Sequence, residues 1–131
     1  MLQIEYSILF SRSLENITNY YPDIVEKIPK SVQAEKVILE AAHQPAYPFA
    51  VFKCTGIGSF NALVAASEGS SLTAKQTEDL AELSTRVNQL CALAAHHKVK
   101  ILIDAEETWI QQAIDELVVA NMREFNHEQV I

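Results

Sequence analysis

Three short apolar segments alternate with longer amphipathic ones, and this order most constrains the fold. The apolar segments span residues 2–9, 49–54 and 99–103. They are nearly continuous in their apolar character, as is typical of strands that are buried on both faces of a parallel sheet. Because helical patterns lie between them, the order predicts an α/β fold with parallel strands and right-handed crossovers.

Four segments carry the spacing of apolar side chains that indicates helices. They are residues 31–42, 61–66, 73–98 and 109–125. The third is the strongest prediction, because Thr73 and Gln76 fit a capping box and apolar residues follow at steps of three or four. Asn126 is placed to end the last helix, and Val130 and Ile131 are expected to begin another strand. The sequence therefore predicts about three βα units.

Length and charge exclude several classes of protein. A chain of 131 residues suits one domain over 1–131 but is shorter than the roughly 200 residues of a small (β/α)8 barrel. Seventeen acidic against ten basic residues give a net charge of −7, which disfavours a nucleic-acid partner because binding phosphates requires a basic surface. The opening MLQIEYSILF lacks the basic region of a signal peptide. Cys54 and Cys91 fit two reduced core thiols of a cytoplasmic protein.

Two charged residues stand where predicted strands end. Lys53 comes near the end of an otherwise apolar run, and Asp104 follows the run at 99–103. Because the carboxyl ends of parallel strands meet at one edge of a sheet, we expect these side chains to form a charge pair that anchors an anionic substrate group. An equally open alternative is a lysine that extends into solvent and an aspartate that caps the following helix.

Other candidate sites have simpler structural explanations. Glu106 and Glu107 could join Asp104 in a carboxylate metal site, but acidic residues at a helix start also stabilise the helix dipole, and we favour that role. Gly56 and Gly58 lack the third glycine of a dinucleotide-binding fingerprint, so we expect them to form a turn with positive φ. We assign no metal to the chain.

Trp109 and two adjacent histidines are also given structural roles. Trp109 is expected to pack in the core. Neighbouring residues on one helix point in different directions, so His96 and His97 are expected to serve as favourable charges at a helix carboxyl end and not as metal ligands.

Three segments together closely resemble the proline dehydrogenase family, namely FAVFKCTGIG, ILIDAEETWIQQAIDEL and MREFN. The resemblance runs from about residue 49 to 131, and IEYS at 4–7 is more weakly similar to the family's first barrel strand. It implies a (β/α)8, TIM-like barrel that holds FAD, of which this chain would supply a part. It also implies oxidation of L-proline to 1-pyrroline-5-carboxylate, with hydride transfer to FAD and electrons passed to a quinone.

The resemblance implies roles for three residues. Lys53 is similar to a strand-end lysine that binds the carboxylate of proline. Asp104 is similar to a catalytic-site aspartate that pairs with this lysine and helps to hold the substrate-binding arginines. Ala105 occupies a position whose backbone lies near the flavin. A fixed cation would orient the substrate, while the flavin would carry the redox chemistry.

The chain departs from the family pattern near both ends. Residues 8–10 read Ile-Leu-Phe where the family usually has a glutamate that helps to close the site, and residues 20–30 look longer and less regular than the first connecting helix. The later strands, with most flavin contacts and an arginine pair, do not follow, and Arg12, Arg86 and Arg123 do not match that pair. We therefore expect a truncated or excerpted chain that keeps no FAD and is inactive alone.

Two other functions stay open at this point. One is a non-catalytic α/β module that acts by association, and unburied apolar side chains on a partial barrel favour self-association in any case. The other is a metal-dependent barrel enzyme that uses Asp104 and Glu106 as ligands. The sequence shows no targeting segment, which predicts a cytoplasmic protein, and the family's quinone chemistry implies a peripheral contact with the inner membrane.

Overall fold

The computed structural model describes residues 30–127 and 129–131. The elements are α1 (Lys30–His43), β1 (Ala50–Phe52), α2 (Cys54–Ile57), α3 (Phe60–Ser67), α4 (Ala74–His97), β2 (Ile101–Ile103) and α5 (Thr108–Phe125). This part of the chain is therefore mostly helical, with two strands. The strand predicted at 2–9 lies outside the described residues.

The two strands form a parallel sheet. Ala50 lies opposite Ile101, and Phe52 lies opposite Ile103. The backbone N–H of Asp104 donates to the carbonyl of Phe52 at 3.0 Å, which extends the ladder by one bond beyond β2. The connection from β1 to β2 runs through α2, α3 and α4, as a crossover between parallel strands requires. The prediction of parallel strands is confirmed for this pair.

The four predicted helices are confirmed with small shifts of their ends. Before α4, the Thr73 hydroxyl accepts from the Gln76 backbone N–H at 3.2 Å, and the Gln76 side chain accepts from the Thr73 N–H at 2.9 Å. These two bonds are the predicted capping box. At the other end of α4, Lys98 adopts a left-handed conformation with φ 57°. Asn126 ends α5 as predicted.

The core lies around α4, which contacts α1, α2, α3 and α5. The largest fully buried side chains come from every helix: Ile38, Leu63, Leu83, Leu90, Ile110, Ile114, Val87 and Cys54. Those of α4 follow the predicted spacing of three or four residues, because that spacing places them on one face of the helix. Burial of this face holds the crossover helix against the rest of the domain.

The strand predicted at 49–54 is shorter than expected. Lys53 is still extended, with φ −111° and ψ 137°, but it serves as the N-cap of α2, and Cys54 begins that helix. The positive φ expected at the two glycines is wrong, since Gly56 lies within α2 and Gly58 has φ −145°. Gly58 is needed for close packing instead, because a Cβ there would lie 2.8 Å from Cδ1 of Leu83.

Two predictions about apolar side chains near α5 are wrong. Trp109 is 56% exposed, whereas its neighbour Ile110 is fully buried. The helix buries the face of Ile110 and Ile114, and Trp109 lies one position outside that face. Residues 130–131 are not in a strand, because the backbone N–H of Ile131 donates to Oδ1 of Asn126 at 3.1 Å and turns the chain back toward the end of α5.

Candidate functional site

Lys53 and Asp104 form an ion pair at the carboxyl end of the sheet. Nζ of Lys53 lies 3.3 Å from Oδ2 of Asp104, and the side chains are 59% and 48% exposed. Each residue directly follows its strand, and Phe52 and Ile103 lie opposite each other in register. The parallel register therefore brings together the two side chains that the sequence placed at strand ends.

The geometry separates the two roles considered for this pair. Asp104 does not cap α5, whose N-cap is Glu107. The Lys53 ammonium reaches solvent, but it also lies against Asp104. An ammonium has three donors, so a lysine paired with one carboxylate can still donate to a second anion. The pair can thus hold a carboxylate-bearing molecule at the open end of the sheet.

Glu106 contacts Thr55 across the same edge. The backbone N–H of Thr55 donates to Oε2 of Glu106 at 3.1 Å, and the Thr55 hydroxyl donates to Oε1. Both residues are half-buried. Glu106 directly precedes Glu107, the N-cap of α5, and its carboxylate contacts Thr55 of α2. The role of the two glutamates in the dipole of α5 stays a prediction.

A further contact joins Glu106 to α5. Its backbone N–H donates to Oε1 of Gln111 at 2.8 Å, and Nε2 of Gln111 donates to Oδ1 of Asp115 at 2.7 Å. Within residues 30–127 and 129–131, no three His, Cys, Asp or Glu side chains come together to hold a metal ion. The oxygens of Glu106 serve Thr55 instead.

Thr55 is the site residue that the sequence reasoning missed. The available signal was its position, since Thr55 comes two residues after Lys53 and Glu106 comes two residues after Asp104. The parallel register places Lys53 and Asp104 side by side, so the segments that follow them leave the sheet at the same edge. A polar pair at equal offsets was therefore a reason to expect a contact.

The two cysteines of the chain are not poised for chemistry. Both thiols are free and buried. Burial, with smaller contributions from Glu106 and Cys91, raises the pKa of Cys54 to about 12. Burial and then the charge of Glu124 raise the pKa of Cys91 to about 11. A thiol that stays protonated at neutral pH is a poor nucleophile, so both residues serve packing.

Comparison with known proteins decides the family. The model of the proline dehydrogenase family matches residues 6–131, nearly the whole chain. The chain belongs to the proline dehydrogenase family. Across 103 residues it is 32% identical to the carbapenem antibiotics biosynthesis protein CarD of Pectobacterium carotovorum subsp. carotovorum, covering 78% of this chain and 27% of that protein. Over 62 residues it is 32% identical to the mitochondrial proline dehydrogenase 1 of Drosophila melanogaster, covering 47% of this chain and 9% of that enzyme.

A short stretch is similar to a different class of protein. The chain is 74% identical over 34 residues to the DNA ligase of Nitrosopumilus maritimus (strain SCM1), which is 26% of this chain and 6% of the ligase. Such a stretch shows a local likeness and does not assign ligase function to a chain that the proline dehydrogenase model matches over residues 6–131. No solved structure matches the chain.

The chain spans only a small part of these relatives. It aligns with 6% of the ligase, 27% of CarD and 9% of the Drosophila enzyme. Among the helices of the described residues, none is long and apolar enough to cross a membrane.

Proposed function

We propose that this chain supplies one side of the substrate site of an enzyme that oxidises L-proline to 1-pyrroline-5-carboxylate. The observation that carries the proposal is the ion pair of Lys53 and Asp104 at the carboxyl end of a parallel sheet. That end is where α/β enzymes bind their substrates. Family membership gives the reaction class, and the exposed ammonium gives the chemistry of recognition.

In this proposal Lys53 binds the carboxylate of proline and Asp104 orients Lys53. Proline carries both a carboxylate and a charged ring nitrogen at neutral pH. The Asp104 carboxylate lies 3.3 Å from the ammonium, and its negative charge favours one position of the lysine end. A substrate held by a directed donor reacts from one orientation and not from many, which lowers the entropic part of the barrier.

The described residues are compatible with FAD on this side of the site. Ala105 is exposed, has the smallest side chain that carries a Cβ, and lies between Asp104 and Glu106 in the β2–α5 connection. A flat ring could therefore approach its backbone, and we propose that Ala105 holds the flavin there. When bound, FAD supplies the redox chemistry, accepting a hydride and passing the electrons to a quinone at a membrane surface.

We also propose that activity resides in a longer polypeptide. The chain aligns with only 27% of CarD and 9% of the Drosophila enzyme, so most of each relative has no counterpart here. Lys53, Asp104 and Ala105 line one side of a site whose other groups would come from such a remainder. The 131-residue chain alone is expected to retain no FAD and to leave proline unchanged.

The test uses the natural gene product, purified from its own cells. We expect an intact mass several-fold above 14.6 kDa, a flavin absorbance spectrum, and reduction of a dye acceptor that depends on L-proline. A mass of 14.6 kDa without flavin or proline-dependent reduction would contradict the proposal. L-Prolinamide, which lacks the carboxylate, is the matched control substrate and is expected to react poorly.

A second candidate function is association without catalysis. It is favoured by the large apolar side chains that α5 leaves in solvent, since Trp109 is 56%, Val119 43% and Met122 52% exposed. Exposed apolar surface favours contact between proteins. This candidate predicts a stable complex or self-associated form that contains no flavin and is unchanged by Lys53→Ala. Sedimentation velocity of the parent protein and of Lys53→Ala, with a flavin spectrum of each, distinguishes this candidate from the enzyme.

A further inference from the structure

Glu106 and Thr55 join the two chain segments that directly follow the ion pair, the β2–α5 loop and α2. Both carboxylate oxygens of Glu106 accept from Thr55, one from the backbone N–H at 3.1 Å and one from the hydroxyl. The two residues are 51 positions apart in the chain. Two bonds between one carboxylate and one residue fix orientation as well as distance, because neither group can rotate freely.

This contact is held from both sides. On one side, the Glu106 backbone N–H donates to Gln111 in the first turns of α5 at 2.8 Å. On the other side, the guanidinium of Arg86 in α4 donates to the carbonyl of Ile57 at 2.8 Å and so fixes the far end of α2. Thr55 thus sits in a helix anchored to α4, and Glu106 in a loop anchored to α5.

The ion pair itself has little means of holding its geometry. The side chains of Lys53 and Asp104 are about half exposed, and ion pairs of that kind contribute little because water competes for both charges. Their separation therefore depends on the backbone beneath them, where the ladder bond from the Asp104 N–H to the Phe52 carbonyl at 3.0 Å holds the strand side of the pair. Lys53 lies two residues before Thr55, and Asp104 lies two residues before Glu106, so the Thr55–Glu106 contact is placed to fix the spacing on the other side.

We propose that Glu106 is a positioning residue, which sets the spacing of Lys53 and Asp104 through its two bonds to Thr55. The inference rests on the proposed function, because it assigns Glu106 a part in binding the carboxylate of the substrate without touching it. Glu106 neither binds a metal nor transfers a proton in this account. Loss of the Glu106 carboxylate weakens the contact between the β2–α5 loop and α2. The ammonium of Lys53 is then no longer held in the orientation that the substrate requires.

The first test compares Glu106→Gln with Glu107→Gln in the natural gene product. Glutamine can keep both partners, because its oxygen still accepts from the Thr55 N–H and its NH2 can donate to the Thr55 hydroxyl, but it removes the negative charge that strengthens both bonds. Because both bonds weaken together, we expect KM for L-proline to rise about tenfold. Glu107 is the matched control, because it is the neighbouring glutamate and its side chain makes no capping bond.

Two variants of Thr55 refine the test. Thr55→Val keeps the shape and the backbone N–H but removes the hydroxyl, so KM is expected to rise by a similar ratio. Thr55→Ser restores the hydroxyl and is expected to bring KM back to within about twofold of the parent value. Rescue by serine and loss by valine would tie the effect to the hydrogen bond and not to packing.

A double-variant cycle separates positioning from a general loss of structure. If Glu106 acts through Lys53, then Glu106→Gln adds no further rise in KM once Lys53→Met is present. A multiplicative effect in the double variant, or equal KM values for the Glu106 and Glu107 variants, would overturn the inference. A parent protein that does not oxidise proline would instead overturn the proposed function. Amide hydrogen exchange of Thr55 then still reports the contact, and is expected to speed up in Glu106→Gln.

Discussion

Lys53 and Cys54 are neighbours in the chain but belong to two different regions. Lys53 lies in what we call the polar edge, formed by Lys53, Thr55, Asp104 and Glu106, whose side chains are half-buried or exposed. Cys54 lies in what we call the apolar seam, formed by Cys54, Gly58, Leu83 and Cys91. The side chains of Cys54, Leu83 and Cys91 are buried.

Under the proposed function, binding and stability are carried by separate groups only one residue apart. Lys53 and Asp104 gain little stability from each other, because solvent reaches both charges. Apolar-seam groups are excluded from water and contribute through burial and close packing. Substitutions at the seam should therefore lower the free energy of unfolding, whereas substitutions at the edge should change the handling of substrate and leave the fold intact.

The largest expected effect on stability is that of Leu83→Ala. Leu83 is fully buried, and its side chain fills the space beside Gly58. Removing it leaves a cavity that is expected to lower the free energy of unfolding by about 2–5 kcal/mol. Urea unfolding followed by circular dichroism measures the change. Leu83→Met, which conserves volume, is the control and should cost less than about 1.5 kcal/mol. Equal losses of unfolding free energy in the two variants would show that Leu83 does not fill a close-packed space beside Gly58.

The next largest effect is a loss of folding stability at alkaline pH. Folding raises the pKa of Cys54 to about 12 and that of Cys91 to about 11, from 9.0. Unfolded thiols therefore lose their protons first, and stability falls as pH rises above the unfolded pKa. At a pH of about 10 each thiol is expected to cost about 1.4 kcal/mol relative to neutral pH.

The double variant Cys54→Ala with Cys91→Ala isolates this contribution. All other ionisable groups are common to both proteins, so only the difference between their pH profiles reports the thiols. The parent chain is expected to lose more free energy of unfolding than the double variant between neutral pH and a pH of about 10. Parallel profiles would show that the thiols are not desolvated in the folded chain.

Two glycines of the same short segment provide a smaller and sharper comparison. A Cβ at Gly58 would lie 2.8 Å and 2.9 Å from the methyl carbons of Leu83, whereas a Cβ at Gly56 would meet nothing within 4 Å. Gly58→Ala is expected to cost about 1–3 kcal/mol by overpacking. Gly56→Ala is expected to be neutral or to stabilise α2 by up to about 1 kcal/mol. The reverse order in thermal unfolding would contradict the packing described for the seam.

Much of the fold could be predicted because its signals are local. Thr73 and Gln76 mark the start of α4 within four residues, and Asn126 marks the end of α5. The end of β2 could be placed because Asp104 directly follows its apolar run, whereas the strand predicted at 49–54 ends earlier, at Phe52. The same pattern placed Lys53 and Asp104 together, since parallel strands of matched register leave few other arrangements.

The features that could not be predicted depend on contacts between distant segments. The bonds between Thr55 and Glu106 join residues 51 positions apart, and neither residue alone indicates its partner. Trp109 was expected in the core, but α5 buries the face that carries its neighbour Ile110 and leaves Trp109 in solvent. Gly58 is required by a leucine of α4, which no local turn pattern reveals.

The most direct test of the central claim compares two lysines on the same sheet. Lys53 lies at its carboxyl end beside Asp104, whereas Lys100 precedes β2 at the opposite end and its side chain is exposed. Steady-state kinetics of Lys53→Met and Lys100→Met in the natural gene product would compare their KM for L-proline. The account predicts a rise of at least about tenfold for Lys53→Met and of less than about twofold for Lys100→Met. Equal KM values for the two variants would contradict it.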